Sequence, residues 1–283
     1  MIARILIPLQ SRPDPQSLRR ELDGTFPLPS EIHLLHVLAE PLLESSVDPG
    51  QLLDREREAR AFLEEAGRAL WPARIRTWLR RGDPAEEICL AAAELQAELI
   101  ALPGFPTGEG QPSKKRGPVA REVLRRSEQP VLAPGLVPGT PGPSRRILFL
   151  EGEVSWTERA LGLLQSMTLS PLAEVVILEL AIPILLPQSP SILSGVIPVP
   201  QASVPQAQTA PVETLRHSGL PARCVTLRER AVPAVERMAL ELGSDLILLP
   251  RGRTSSLMGG FLSPREVARL YRRVGARILL LPA

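Results

Sequence analysis

One segment of this chain occurs twice. Glu94-Leu95-Gln96-Ala97-Glu98-Leu99-Ile100-Ala101-Leu102-Pro103 aligns with Glu241-Leu242-Gly243-Ser244-Asp245-Leu246-Ile247-Leu248-Leu249-Pro250, and the offset of 147 carries without a gap from 94–134 onto 241–281. Just upstream, Ala73-Arg74 and Pro84-Ala85 match Ala222-Arg223 and Pro233-Ala234 at an offset of 149. The starts correspond as well, Arg4-Ile5-Leu6 with Arg146-Ile147-Leu148. A repeat of about 140 residues is the size of one domain, so the chain reads as two copies of one fold. The expected organisation is a first domain over 1–137, a Pro/Gly linker over 138–144 and a second domain over 145–283.

Each copy alternates apolar strands with helices. In the first, strands are expected at 4–9, 31–38, 73–79, 98–103 and 130–133, and helices at 51–70, 84–96 and 118–127. Nearly continuous apolar strands separated by helices indicate a parallel sheet covered on both faces. Asp83-Pro84 reads as an N-cap followed by proline at the first helical position. Ser263-Pro264-Arg265-Glu266 reads as a capping box. The fold class is therefore α/β, two repeated Rossmann-like domains, each a mostly parallel five-stranded sheet with helices on both faces.

Composition narrows the function classes. The 283 residues are 44% hydrophobic but only 3% aromatic, so Leu, Val, Ile and Ala must fill the core. A formal net charge of +2 excludes nucleic-acid binding by bulk charge. Two cysteines, Cys89 and Cys224, exclude a disulfide scaffold, and both are expected as small core residues. The start lacks a signal-peptide pattern, and no long apolar stretch is free of helix breakers, so a cytoplasmic protein without a membrane segment is expected. The uncharged run Leu180–Val212 carries seven prolines, which a membrane helix would not tolerate.

Taken in order and seen twice, several stretches resemble the universal stress protein family in its tandem two-domain form. They are Arg4-Ile5-Leu6-Ile7-Pro8-Leu9, Leu34-Leu35-His36-Val37, Gly82-Asp83-Pro84-Ala85-Glu86-Glu87-Ile88, Leu99-Ile100-Ala101-Leu102-Pro103-Gly104, Gly117-Pro118-Val119-Ala120-Arg121-Glu122-Val123-Leu124-Arg125 and Gln129-Pro130-Val131-Leu132. The resemblance implies an adenine-nucleotide-binding fold, no dedicated chemistry, and pairing through the last strand. In a tandem chain the two halves can make that pair internally; a further homodimer is left open. A paired last strand also disposes of an exposed sheet edge.

In ATP-binding members of that family the loop after the fourth strand reads Gly-x2-Gly-x9-Gly-Ser/Thr. Glycines let backbone N–H groups approach phosphates, and the helix start that follows favours an anion. The first half keeps the spacing as Gly104-x2-Thr107-x9-Gly117-Pro118, with Thr107 for the second glycine and Pro118 for the hydroxyl residue. The family's acidic strand-end position is Gln10, and Lys114-Lys115-Arg116 stands before the helix. In the second half the ungapped repeat puts Arg251, Thr254, Pro264 and Arg265 at the four positions. Local shifts recruit Gly252 and Ser263, with Leu262 for the third glycine; the strand-end acid is Gly152 without a gap or Glu151 with one. The candidate nucleotide-binding residues are thus Gly104, Thr107, Gly117, Glu151, Gly252 and Ser263, a degenerate set expected to bind ATP or AMP weakly or not at all. No cofactor is required.

No catalytic or metal-binding set emerges. His33 and His36 are three apart on a strand and face opposite ways, so they cannot chelate one ion together. His217 stands alone. There is no Gly-x-Ser-x-Gly elbow and no P-loop. The Pro-rich insertion at about 181–212 has no counterpart in the first half and is either a lid or partner-docking flap over the second half's cleft, or a mobile surface loop. The expected function is a non-catalytic stress-response module. The alternatives are an interaction module with dead nucleotide sites, or an ATP-hydrolysing or adenylate-forming enzyme of the same superfamily.

Overall fold

The computed structural model describes residues 2–9, 30–39, 49–69, 74–103, 117–135, 143–152, 154–180, 210–251 and 262–282. The first half contains β1 (Arg4–Pro8), β2 (Glu31–Leu38), α1 (Pro49–Ala69), β3 (Arg74–Arg81), α2 (Pro84–Glu94), β4 (Leu99–Ala101), α3 (Pro118–Arg126) and β5 (Val131–Ala133). The second contains β6 (Ser144–Leu150), α4 (Val154–Gln165), β7 (Leu169–Leu180), α5 (Ala210–His217), β8 (Ala222–Leu227), α6 (Ala231–Leu242), β9 (Leu246–Arg251), α7 (Pro264–Arg273) and β10 (Arg277–Pro282). The first three residues of α5 belong to the stretch read as insertion; the rest of that stretch, 181–209, lies outside the described residues.

The strands form one ten-stranded sheet in the order β3-β2-β1-β4-β5-β10-β9-β6-β7-β8. Read outward from the middle, each half has the same strand order. Pairing within each half is parallel. The single antiparallel step joins the halves, with Leu279 opposite Leu132 and Ile278 and Leu280 opposite Ala133 and Val131. Two edges that would each expose a ladder of N–H and C=O groups thereby satisfy one another. The outer edge strand β3 carries Arg74, Arg76, Arg80 and Arg81, charges that discourage further pairing.

Alternation along the strands sends side chains into two layers. Leu6, Ile100, Leu148 and Ile247 face α2, α3, α6 and α7. Ile5, Leu99, Phe149 and Leu248 face α1, α4 and α5. Both layers run unbroken across the seam, where α3 also packs against α7. With few aromatics, one stack matters: Trp156 of α4 lies on Phe149 at 5.2 Å between ring centres, and its indole N–H donates to Leu281 O at 3.3 Å. Each fully buried Leu, Ile or Val contributes on the order of 1.5–3 kcal/mol.

The strand register corrects one alignment. Ile32 pairs with Ile75, while its counterpart Val175 pairs with Ala222. Ile75 and Ala222 are therefore equivalent, and the offset of 147 already holds at the third strand of each half. The local matches at 149 do not survive. Pro84 opens α2 at its first position, whereas Pro233 is the third residue of α6. The whole first turn of a helix leaves its N–H groups free, so proline fits at either place and cannot fix the register.

The helix starts follow the sequence. The Asp83 carboxylate accepts from the Glu86 N–H at 2.9 Å. The Ser263 hydroxyl accepts from the Glu266 N–H, and the Glu266 carboxylate accepts from the Ser263 N–H at 2.8 Å, which closes the capping box. No helix among the described residues is long and apolar enough to cross a membrane.

Candidate functional site

Wound sheets bind ligands outside the carboxyl ends of their strands. In the first half those ends belong to β1 and β4, followed by the start of α3. Gly117 is the N-cap of α3, with φ −65° and ψ 154° and no side-chain cap, and Pro118 takes the first helical position. Gly104 and Thr107 lie outside the described residues, as do Gln10, Lys114-Lys115-Arg116 and Gly252.

In the second half, Glu151 follows β6 directly. Its N–H donates to Leu178 O at 2.9 Å, as the Leu9 N–H donates to Leu35 O at 2.7 Å. Glu151 therefore stands in the register of Leu9, and the ungapped reading holds: Gly152 is the counterpart of Gln10. Alternation turns Glu151 to the α4–α5 layer, and a Cβ at Gly152 would meet Trp156 of α4 at 3.0 Å.

The loop positions have acquired other work. Arg251, where the ungapped repeat expects the first glycine, ends β9 and crosses the seam. Its guanidinium donates to Leu124 O at 3.1 Å and to Ser127 O, both at the C-terminal end of α3 in the other half. The last carbonyls of a helix lack intrahelical donors and carry the negative end of its dipole, so a cation belongs there. Leu262, put at the third glycine by the shifted reading, is fully buried, and its N–H donates to Pro250 O at 3.3 Å; the N-cap that Gly117 provides in the first half falls to the next residue, Ser263. Ser263, the following N-cap, has its hydroxyl and its N–H engaged by Glu266. Gly117 and Ser263 thus occupy matching helix starts, one bare and one boxed.

A second group at these strand ends escaped the motif reading. Glu151, Glu179 of β7 and Cys224 of β8 each place a ligand atom within 4.8 Å of the other two. The Thr226 hydroxyl donates to the Glu179 carboxylate at 2.8 Å. Burial first, and then the Glu179 charge, push the Glu151 carboxyl above the usual carboxylate range. Burial, followed by both carboxylates, raises the Cys224 thiol. Strand-by-strand comparison of the repeats was the signal available: Glu151, Glu179 and Cys224 stand where the first half has Leu9, His36 and Thr77.

The remaining candidates sit as their positions dictate. His33 is 2% exposed and faces the α2 layer, where its Nδ1 accepts from the Trp78 indole at 3.0 Å. His36 faces the other layer, edge-on to Phe62, with its Nδ1 2.7 Å from Leu9 O. His217 is exposed at the end of α5. Cys89 lies half-buried on α2, and burial pushes its thiol up to about 11, far from a nucleophile's range.

Residues 1–133 match the model of the universal stress protein family. The whole chain is similar in fold to a universal stress protein from Archaeoglobus fulgidus, at 17% identity and a TM-score of 0.65, covering 99% of this chain and 96% of that one. It is also similar to a functionally unknown protein from Pseudomonas aeruginosa, at 16% identity and a TM-score of 0.53, covering 99% and 92%. No curated protein matches the sequence.

Proposed function

We propose for this chain, whose residues 1–133 match the universal stress protein family, the role of a tandem universal stress protein: a non-catalytic stress-response module with degenerate adenine-nucleotide sites. The observation that carries this reading is the fate of the second phosphate loop. A phosphate cradle needs small residues and uncommitted N–H groups. Arg251 is instead engaged with the α3 carbonyls of the other half, and Leu262 is buried with its N–H bonded. Those two features support a second half that holds its partner half rather than a triphosphate.

The first half retains the bare Gly117 helix start, and Pro118 removes one of the N–H donors that start would offer. Weak binding of ATP or AMP is assigned to that half alone.

Calorimetric titration of the full chain with ATP, AMP and magnesium tests the reading. The expected result is at most one nucleotide per chain, bound more weakly than about 1 μM, the affinity that corresponds to roughly −8.2 kcal/mol. Two tightly bound nucleotides per chain, or steady release of phosphate from ATP, would overturn it.

A further inference from the structure

We infer that Glu151, Glu179 and Cys224 form a site for a borderline-soft divalent cation of the zinc kind, on the α4–α5 side of the second half. This is separate from the nucleotide reading and does not depend on it. Three adjacent strands supply one donor each. β6, β7 and β8 lie side by side in parallel, with Phe149 opposite Ile177 and Ile177 opposite Cys224. Two residues further along, the same face is reached by Glu151 and Glu179, since side chains alternate with a period of two. The convergence follows from the register and needs no special loop.

The spacing suits one ion. Zinc takes carboxylate oxygen at about 2.0–2.2 Å and thiolate sulfur at about 2.3 Å. Donors already within 4.8 Å of one another are a side-chain adjustment away from a shared centre. One donor atom is also without an occupation. Glu151 Oε2 is shut off from solvent and accepts no hydrogen bond. A buried carboxylate oxygen left unpaired forfeits its hydration with nothing in return, and a cation placed among these donors would remove that cost. The Thr226 hydroxyl holds the Glu179 carboxylate in place, the kind of outer hydrogen bond that orients a ligand.

The donor set selects the metal class. A thiol with two carboxylates suits zinc and its neighbours, whereas magnesium and calcium take oxygen only. The first half lacks the arrangement: Leu9 offers no side-chain donor, and the His36 Nδ1 is already 2.7 Å from Leu9 O. Among the described residues, one such site is the consequence.

The test uses the full chain after chelation and dialysis, titrated with zinc by calorimetry and with cobalt as a spectroscopic probe. The proposal expects one equivalent of zinc per chain and a thiolate-to-cobalt charge-transfer band. Cys224→Ser should abolish the band and weaken zinc by at least about tenfold, a loss that even outer-ligand changes can reach. Glu151→Gln should weaken zinc comparably, and Cys89→Ser should change neither readout. If Cys224→Ser does not fold by circular dichroism, Glu151→Gln decides. Absence of zinc binding, a band that survives Cys224→Ser or disappears in Cys89→Ser, unaltered zinc affinity in Glu151→Gln, or equal competition by magnesium would each overturn the site. None of these outcomes bears on nucleotide affinity, so the two readings fail separately.

Discussion

Asp83 starts α2 with its carboxylate on the Glu86 N–H, while Arg230, at the same place before α6, makes no side-chain bond to its helix. At the other ends the advantage reverses. Gly243 closes α6 in the left-handed conformation, with φ 57°, where a residue without Cβ is unstrained. Its counterpart after α2 is Gln96, held at φ 51°, where a side chain is disfavoured. The two halves therefore share geometry and distribute its local cost differently. Backbone conformation is set by how the helix must return to the next strand. The residue placed there sets only how much strain that return carries.

The same contrast governs the seam, and the largest effect expected from breaking it lies at Arg251. In the first half the equivalent position is Gly104; in the second, the guanidinium joins β9 to the end of α3. Arg251→Ala leaves the Leu124 and Ser127 carbonyls without that donor in a half-buried place. Hydrogen bonds to a charged group contribute about 1.5–3 kcal/mol each, and because Arg251 is only half-buried water replaces part of the two lost here, so a loss of roughly 2–3 kcal/mol is expected in urea denaturation. A loss below about 0.5 kcal/mol, the scale of an ordinary surface change, would mean that the β5–β10 ladder and the two apolar layers hold the halves together unaided.

Exchanging the helix ends sharpens the comparison at a smaller scale. Gly243→Ala forces a side chain into a left-handed position and brings its Cβ to 2.9 Å from Arg146 Nη1, the movable end of a long side chain. A destabilisation of about 1–2 kcal/mol is expected. Gln96→Gly should act in the opposite sense, raising stability by about 0.5 kcal/mol. The gain is smaller because glycine adds freedom to the unfolded chain and the exposed contact from Arg4 to Gln96 is lost. Thermal denaturation of both variants checks the pair. Equal and like-signed effects would show that the two turns are not equivalent.

These contrasts mark what was legible in the sequence. The repeat, the strands and the two side-chain-capped helix starts depend on neighbours within a few residues, and the structure has them where periodicity and capping chemistry place them. Ends shift by one or two residues, as with the helix expected over 84–96 that stops at Glu94. Arg251 was visible only as a departure from a motif, because its partners lie 124 and 127 residues away. Glu151 invited a gap because an acid was sought at a strand end, and only the ladder hydrogen bond to Leu178 shows which position it holds. Glu179 and Cys224 belong to different strands, and nothing short of strand register brings them together.

The subtlest contrast is electrostatic. His33 and Trp78 stand where the second half has Val176 and Val225, an apolar pair. The Trp78 indole donates to His33 Nδ1, so the ring is neutral with its proton on Nε2, an atom that is buried and lacks a hydrogen-bond partner. Burial first, then the charges of Arg76 and Arg4, hold the His33 pKa below its ordinary 6.5; Glu31, 3.9 Å away, opposes them without prevailing. The unfolded chain then takes up this proton before the folded one. His33 contributes fully above about pH 6.5, and its contribution is lost as pH falls from there through the folded value. Transplanting the second half's pair, His33→Val with Trp78→Val, removes the group. Between about pH 7 and pH 5 the wild-type urea midpoint should fall further than that of the double variant. Parallel profiles would show that His33 binds its proton equally in both states, and that burial on this strand costs the imidazolium nothing.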